Sequence, residues 1–396
     1  MTKLEQLIKE LCPNGVQLTF IENICDISRG KVISKDYIRD NPGDYPVYSS
    51  QTENNGELGR IDTYAFEGEY LTWTTDGANA GSIFYRNEKF NITNVCGLLK
   101  THDNVIARFL FYVLSIEAPK YVQKGMGNPK LMSNMMAKVK VPVPPLEVQA
   151  EIVKVLDNFT ELTAELTAEL TARKKQYEYY REQLLFFKKD DCEWRMFGDL
   201  FVVKNGLNKE KEAFGKGKPI INFTDVYKNR WLAKDSFSGL VDVTSDEIER
   251  YSAKKGDVFF TRTSETKEDI GMSSTLIEDV PNCVFSGFVL RARPTTELLI
   301  PKFCAYYFST YKVRKQIVKY AAFTTRATTT GDKLSKIRVP IPPIEEQERI
   351  VSILDRFDKL CNDISEGLPA EIEARRKQYE YYRDKLLSFE EICNGT

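Results

Sequence analysis

The sequence predicts an α+β protein with a pseudo-two-fold internal repeat, in which two globular heads are separated by two long antiparallel coiled-coil helices. A proline-rich segment leading into a long amphipathic stretch occurs twice, 198 positions apart. Each copy follows a region of short apolar runs bounded by Gly, Asn and Asp, a pattern typical of strands and turns. The predicted division is head 1 over residues 1–140, a central helix over 141–190, head 2 over 191–338 and a distal helical segment over 339–396.

The repeat is clearest in two blocks of the predicted helices. The segment 141–157 returns as 339–355, and both copies open with Val-Pro-[Val/Ile]-Pro-Pro and continue with Glu-x-Gln. A second block, Arg-[Lys/Arg]-Lys-Gln-Tyr-Glu-Tyr-Tyr-Arg, spans 173–181 and 375–383. The heads match each other much less well, which predicts two variable domains on a shared frame.

Both helical segments carry one narrow apolar face. From Val148 to Phe187 the apolar residues are spaced by three and four, which predicts a helix of roughly forty residues that needs a partner helix. In the second copy Gly367-Leu368-Pro369 predicts a break or kink, because proline fits only the first turn of a helix. The first copy contains the tandem Thr-Ala-Glu-Leu over 163–170, which is either an adjustable spacer or filler in an exposed helix.

Composition excludes several classes of protein. His102 is the only histidine, and the eight cysteines are scattered without a Cys-x-x-Cys pair, which argues against most metal sites and favours reduced thiols. No run of 18 apolar residues exists and the first residues lack a secretory pattern, so a cytoplasmic location is expected.

The charge of the chain is unevenly distributed. The net charge is −1, but residues 191–338 hold 25 Lys and Arg against 19 Asp and Glu, so head 2 is basic. A local excess of positive charge favours binding to the phosphate backbone of a nucleic acid.

Taken together, the two proline-glutamine openings, the paired tyrosine-rich blocks and the Thr-Ala-Glu-Leu tandem resemble the DNA-specificity subunit of type I restriction–modification systems. The resemblance covers the whole chain. It implies two target-recognition domains that each read half of a bipartite double-stranded DNA site. It also implies docking of two adenine methyltransferase (modification) subunits and, through them, of restriction subunits. One departure is that the two spacers differ by four residues.

Given this resemblance, polar loops in equivalent places of the two heads are the expected DNA contacts. Arg, Lys, Asn and Gln read base edges, whereas Ser and Thr commonly hold phosphates. The candidates are Thr74, Thr75, Asn79, Asn128 and Lys130 in head 1, and Arg262, Thr263, Ser264, Lys267, Thr324, Thr325, Arg326 and Thr328 in head 2. Trp73, directly before the first of these loops, is expected in the core rather than against a base.

The tyrosine-rich blocks hold more aromatic residues than one helix seam can bury, so Tyr179 and Tyr381 are expected to bind partner subunits. No catalytic, cofactor-binding or metal-binding residue is predicted in this chain. The resemblance places S-adenosylmethionine, ATP and Mg on the partner subunits only.

Two other functions are consistent with parts of the pattern. A coiled-coil scaffold that spaces two protein-binding domains would share the helices, and sequence-specific footprinting at two half-sites would distinguish it. A self-contained DNA-modifying enzyme would need its own motifs. The sequence has neither a Gly-x-x-x-x-Gly-Lys-[Ser/Thr] phosphate loop nor an Asn/Asp-Pro-Pro-[Tyr/Phe] loop.

Overall fold

The computed structural model describes residues 3–125, 127–363 and 365–391. Met126, in the loop of head 1 that contains the candidates Asn128 and Lys130, and Ile364, on the apolar face predicted for the distal segment, therefore lie outside the described residues. The chain divides into two compact units. One contains the described residues up to Thr167 and those from Ile372 onward, and the other is Ala168–Glu371. Each unit holds one head with parts of both helical segments, so the division into units crosses the helices. The four segments defined from the sequence remain a prediction.

Head 1 is built on a six-stranded sheet. In spatial order its strands are Cys25–Arg29, Cys96–Thr101, Phe66–Thr74, Ile83–Ile92, Pro42–Tyr48 and Glu57–Ile61. Its helices are Lys3–Leu11, Lys35–Asp40, Ala107–Glu117 and Ser133–Met136, with 3-10 turns at Ile21–Asn23, Glu53–Gly56 and Ala118–Tyr121. A short antiparallel pair, Leu18–Phe20 with Lys140–Pro142, joins the beginning and the end of the head.

Trp73 forms the centre of the head 1 core, as the sequence predicted. Its side chain is fully buried, and its indole N–H donates to the backbone carbonyl of Leu131 at 2.8 Å. Gly97 on the neighbouring strand faces the ring, and a Cβ at that position would lie 2.3 Å from it. Only glycine therefore allows the two strands to pair beside this large side chain.

Head 2 repeats this plan with shorter strands. Its main sheet has the order Phe201–Asn205, Val289–Pro294, Val258–Thr261, Ser273–Leu276 and Trp231–Leu232. Two three-stranded sheets are Leu240–Val241, Phe214–Ile221, Val284–Phe285 and Thr263–Ser264, Ala327–Thr328, Ala322–Phe323. The pair Glu193–Met196 with Arg338–Ile341 closes the head. Its helices are Phe197–Leu200, Phe223–Lys228, Ser245–Arg250, Pro301–Phe308, Tyr311–Tyr320 and Gly331–Leu334, with 3-10 turns at Lys211–Ala213 and Lys234–Ser236.

The long helices agree with the sequence pattern. The central helix runs over Leu146–Leu184, which is 39 residues and matches the predicted length. The distal segment forms two helices, Ile344–Asn362 and Leu368–Leu387. The predicted break is therefore present, and Pro369 lies in the first turn of the second helix, where its missing N–H leaves no helical bond unmade.

Within the first unit, the central and distal helices run in opposite directions. Phe159 stacks on Tyr382, with ring centroids 5.5 Å apart. Farther along, the Val16 N–H donates to the carbonyl of Glu390 at 2.8 Å, beside Gln17, whose carbonyl accepts from Val143 at the entry to the central helix. The end of the distal helix thus meets the start of the central one.

The second unit contains the matching contact. Tyr180 stacks on Phe357 with ring centroids 6.0 Å apart, which repeats the Phe159–Tyr382 pair with the roles of the two helical segments exchanged. Tyr177 is buried beside them, and the Arg230 guanidinium donates to its hydroxyl at 2.5 Å and to Asp358 at 2.9 Å. The internal repeat is therefore one of packing as well as of sequence.

Candidate nucleic-acid interface

Three loops of head 1 are tied together by a small network of hydroxyl groups. The Thr75 backbone N–H donates to the Ser50 hydroxyl at 3.0 Å, and Ser50 in turn donates to the carbonyl of Val95. The Thr75 hydroxyl donates to the same carbonyl at 2.7 Å. These bonds join the segment after strand Pro42–Tyr48, the predicted loop after strand Phe66–Thr74 and the turn before strand Cys96–Thr101.

The second predicted loop of head 1 lies against the first. Gln123 and Lys130 exchange backbone hydrogen bonds of 2.9 and 3.1 Å, which pair these two residues side by side. The Gly77 N–H donates to the carbonyl of Pro129 at 3.0 Å, and Asp76 forms a bridge with Lys130. Two loops separated by about fifty residues in the sequence, both predicted to contact DNA, therefore form one surface.

The structure corrects two of the head 1 candidates. The side chains of Thr74 and Thr75 are 1% exposed. The Thr74 hydroxyl donates to the carbonyl of Asn79 and accepts from the Ser82 N–H at 3.0 Å, so it closes the loop from within. Because Thr75 is likewise bonded to Val95, both hydroxyls shape the surface rather than face a ligand.

The remaining head 1 candidates are accessible. Asn79, Asn128 and Lys130 are exposed. Asn79 donates its side-chain amide to the Thr52 hydroxyl at 2.9 Å, which fixes the amide against the neighbouring segment. Whether these three side chains contact DNA remains a prediction.

Head 1 also presents two cations that the sequence analysis did not single out. Arg29 and Lys31 are exposed, and the Arg29 guanidinium lies 3.4 Å from the sulfur of Met132, just after the second loop. Lys31 forms a bridge with Thr93 in the turn that precedes Val95. Both cations therefore border the loop surface, a position that only the sheet topology reveals.

In head 2 the two predicted loops form a sheet of their own. Thr263 and Ser264 pair with Thr328 and Ala327, and the Thr329 N–H donates to the carbonyl of Arg262 at 3.1 Å. Strand Ala322–Phe323 completes the sheet on the other side. As in head 1, two chain segments that are far apart in the sequence lie side by side.

The head 2 candidates differ in accessibility. Lys267, Thr324, Thr325 and Arg326 are exposed, whereas Arg262, Thr263, Ser264 and Thr328 are half-buried. Arg262 makes a long bond of 3.4 Å from its guanidinium to the carbonyl of Gly287. Among the described residues, its guanidinium makes no other hydrogen bond.

A cleft of about 410 Å³ adjoins this sheet in head 2. Arg326 and Asp269 line it together with three aromatic side chains. Phe223 and Tyr227 stack in one wall, with ring centroids 5.7 Å apart and an interplanar angle of 15°, and Phe288 is 65% exposed. Sequence reasoning missed these aromatics because nothing in a local pattern distinguishes an exposed Phe at a turn from a core residue.

The two tyrosines predicted to bind partners are alike in the two units. Tyr179 and Tyr381 are each 62% exposed. Each packs edge-to-face on the following tyrosine, Tyr180 or Tyr382, with ring centroids 5.4 Å apart in both cases. Since Tyr177 is buried in the same block, the block has an inner and an outer face.

Potential metal ligands are not clustered in the described part of the chain, and four buried thiols are protonated. Among those residues, no group of three or more His, Cys, Asp or Glu side chains is placed to hold a metal ion. Burial raises the pKa of the Cys25 and Cys96 thiols in head 1, and of Cys283 and Cys304 in head 2, to about 12, so they are protonated near neutral pH. No described helix is long and apolar enough to cross a bilayer.

Two heads with matched loop surfaces, each packed on long paired helices, define a class of two-headed proteins, and solved structures share this fold. The S subunit of a type I restriction–modification system from M. genitalium superposes with a TM-score of 0.54 at 14% identity, covering 94% of this chain and 96% of that one. A chain from a structure described as showing complex assembly and conformational transition of the type I system gives 0.63 at 15% identity, with 95% and 98% covered. At these identities the likeness concerns the fold alone.

Sequence comparison defines the family. The family model for the type I restriction modification DNA specificity domain matches twice, over residues 13–173 and 189–374. A putative type I specificity subunit of Mycoplasma pneumoniae is 34% identical over 378 residues, which are 93% of this chain and 96% of that protein. The type I restriction enzyme MpnII specificity subunit of the same organism is 48% identical over 169 residues, 41% of this chain and 51% of that protein. The chain belongs to the family of type I restriction–modification DNA specificity proteins, with two specificity domains, as the resemblance implied.

Proposed function

We propose that this chain is the non-catalytic specificity subunit of a type I complex, in which each head reads one half of a bipartite DNA sequence. The observation that carries the proposal is the loop surface present in both heads, where exposed amide, lysine and arginine side chains stand on a framework of internal hydrogen bonds. A surface of this kind offers paired donors and acceptors to base edges and cations to phosphates. In this proposal the protein acts on DNA in the cytoplasm.

The helices would serve two purposes in this proposal. They would set the spacing between the half-sites, and they would dock two adenine methyltransferase subunits through the outer faces of the tyrosine-rich blocks, Tyr179 and Tyr381. S-adenosylmethionine, ATP and Mg would be held by the modification and restriction subunits, which would carry out methylation, translocation and cleavage.

The direct test is methylome sequencing of a methylation-free host that expresses the chain with its modification subunit. Two half-sites separated by a fixed gap should be methylated on adenine, and neither protein alone should methylate DNA. Exchanging residues 192–338 for the second head of another family member should change one half-site and leave the other unchanged. Methylation by the pure chain, or a change in both half-sites, would contradict the proposal.

The same experiment separates the two competing functions. A scaffold that spaces protein-binding domains would give no bipartite motif, and a footprint of the complex on DNA would show no protection at two separated places. A self-contained modifying enzyme would retain activity without the modification subunit.

A further inference from the structure

A short loop of head 1 adopts a backbone conformation that most residues avoid. In the turn Glu53–Gly56, three successive residues are left-handed: Asn54 (φ 48°, ψ 42°), Asn55 (φ 53°, ψ 30°) and Gly56 (φ 82°). The clash between Cβ and the following carbonyl disfavours this region for residues other than glycine, and asparagine is among the few that tolerate it. Two such asparagines in succession need support from their surroundings.

Arg86 supplies that support from below. Its side chain is 2% exposed, and its guanidinium donates to the carbonyl of Asn55 at 2.7 Å and to the Thr72 hydroxyl at 3.3 Å. The same group lies 3.5 Å above the centre of the Tyr48 ring. A Cβ at Gly56 would lie 3.2 Å from the guanidinium, so glycine allows the loop backbone to pack closely against this cation.

The loop is fixed from its flanks as well. The Ser49 N–H donates to the carbonyl of Gly56 at 3.0 Å, and the Gln51 side-chain amide donates to the carbonyl of Glu57 at 2.5 Å. These bonds close the turn at its base. Its conformation is thereby determined by contacts that do not involve the asparagine side chains.

Both asparagine side chains are consequently left facing outward. Asn54 and Asn55 are exposed, and among the described residues neither side-chain amide has a hydrogen-bond partner. The loop also belongs to the candidate interface, because the hydroxyl of Thr52, directly before the turn, accepts a hydrogen bond from the side-chain amide of Asn79. A rigid loop thus presents two adjacent free amides beside the predicted contacts.

We propose that Asn54 and Asn55 are base-reading residues of head 1, that at least one of them recognises an adenine in the major groove, and that Arg86 is the positioning residue for both. The asparagine amide matches adenine in two atoms, since its oxygen accepts from N6 and its nitrogen donates to N7. A loop already held in one conformation loses little entropy when it binds. The inference rests on the proposed function, because it assumes that head 1 reads a half-site.

The competing explanation is that these asparagines are present only because they tolerate a left-handed backbone. Glycine separates the two explanations, since it keeps the conformation at even lower strain and removes the amide. The test variant is therefore Asn54→Gly with Asn55→Gly in the full chain. The matched control is Asn282→Gly, because Asn282 is also left-handed (φ 56°) and exposed but lies in a turn of head 2 between strands Ser273–Leu276 and Val284–Phe285.

The measurement is methylome sequencing with the modification subunit, alongside thermal unfolding of each purified variant. We expect the double variant to fold normally and to lose discrimination by about tenfold or more at an A·T pair of the head 1 half-site. The head 2 half-site should be unchanged, and Asn282→Gly should alter neither. A head 1 motif that keeps its full sequence, or a uniform loss of methylation with the motif unchanged, would overturn the inference while leaving the proposed function standing. The absence of any bipartite motif with the wild-type chain would overturn both.

Arg86 provides a second and independent readout. Arg86→Lys keeps a cation but loses the planar group that reaches the Asn55 carbonyl while stacking on Tyr48. Discrimination should weaken at the same base pair as in the glycine variant. Weakening spread over every position of both half-sites would show that Arg86 supports only the fold, and would refute its positioning role.

Discussion

The side-chain oxygen of Gln149 accepts a hydrogen bond from the backbone N–H of Ile106 at 2.8 Å, and this bond latches head 1 to the start of the central helix. The Gln149 amide also donates to the carbonyls of Asn104 and Pro144 at 3.1 and 2.7 Å. One fully buried side chain therefore satisfies three backbone groups. This explains why glutamine follows the Pro-Pro-x-Glu opening of the repeat.

The second copy repeats the latch. The oxygen of Gln347 accepts from the Ile300 N–H at 2.9 Å, and its amide donates to the carbonyls of Leu298 and Pro342 at 2.8 Å each. Glutamine is needed in both places because the site presents one donor and two acceptors. The glutamine that recurs in the two copies of the sequence repeat therefore makes the same three hydrogen bonds in both units.

Replacing Gln149 by Ala should destabilise the first unit by about 3 kcal/mol, because three buried backbone groups would lose their partner. Gln347→Ala should have a similar effect on the second unit. Chemical unfolding of the purified chain measures both. The control is Gln176→Ala on the exposed side of the central helix, which should change the free energy of unfolding little; equal effects from Gln149 and Gln176 would contradict the latch.

Tyr179→Ala and Tyr381→Ala should weaken assembly with the modification subunit while leaving the fold intact, since both side chains are exposed. Native mass spectrometry of the mixed subunits measures assembly, and thermal unfolding checks the fold. Tyr177→Ala is the contrasting variant, because that side chain is buried and should mainly affect stability. Unchanged assembly in the double variant would show that these tyrosines do not form the docking surface.

Arg326→Ala should relax base preference in the half-site read by head 2, at about 1–3 kcal/mol if the arginine makes a bidentate contact. Arg262→Ala should act in the same half-site, because its loop is paired with that of Arg326 in one small sheet. Methylome sequencing gives the base preference. Arg356→Ala, an exposed arginine on the distal helix, should leave the motif unaltered. Loss that is uniform across sequences would instead identify a phosphate contact.

One further Thr-Ala-Glu-Leu unit inserted after Leu170 should widen the gap between the half-sites by about one or two base pairs. Four residues lengthen a helix by about 6 Å, and base pairs are stacked about 3.4 Å apart. The insertion suits this helix because its threonines bond back to the carbonyl four residues earlier, Thr163 to Phe159 and Thr167 to Thr163, each at 2.8 Å.

The control for this insertion is one of two residues, which would rotate the apolar face by about 200°. It should impair assembly rather than change the gap. Methylome sequencing of the four-residue insertion is decisive: both half-site sequences should stay as they are, and an unchanged gap would show that the central helix does not set the spacing.

The sequence by itself determined the regular parts of this protein. The 39-residue central helix, the break before Leu368 and the burial of Trp73 all follow from periodicity, proline chemistry and residue size, which act over a few neighbouring positions. The internal repeat further predicted that the two heads are equivalent and that the candidate loops occur in pairs. Such features are predictable because each depends on a short stretch of chain.

Only the tertiary structure decided which loop side chains are available to a ligand. Thr74 and Thr75 look like surface polar residues in the sequence, yet both are buried. The Thr75 N–H and hydroxyl are bonded to Ser50 and Val95, which are about twenty or more positions away. The left-handed turn at Asn54 is determined in the same way, by Arg86 on another strand. Hydrogen bonds in loops join distant parts of the chain, and their partners become known only when the sheet has brought those parts together.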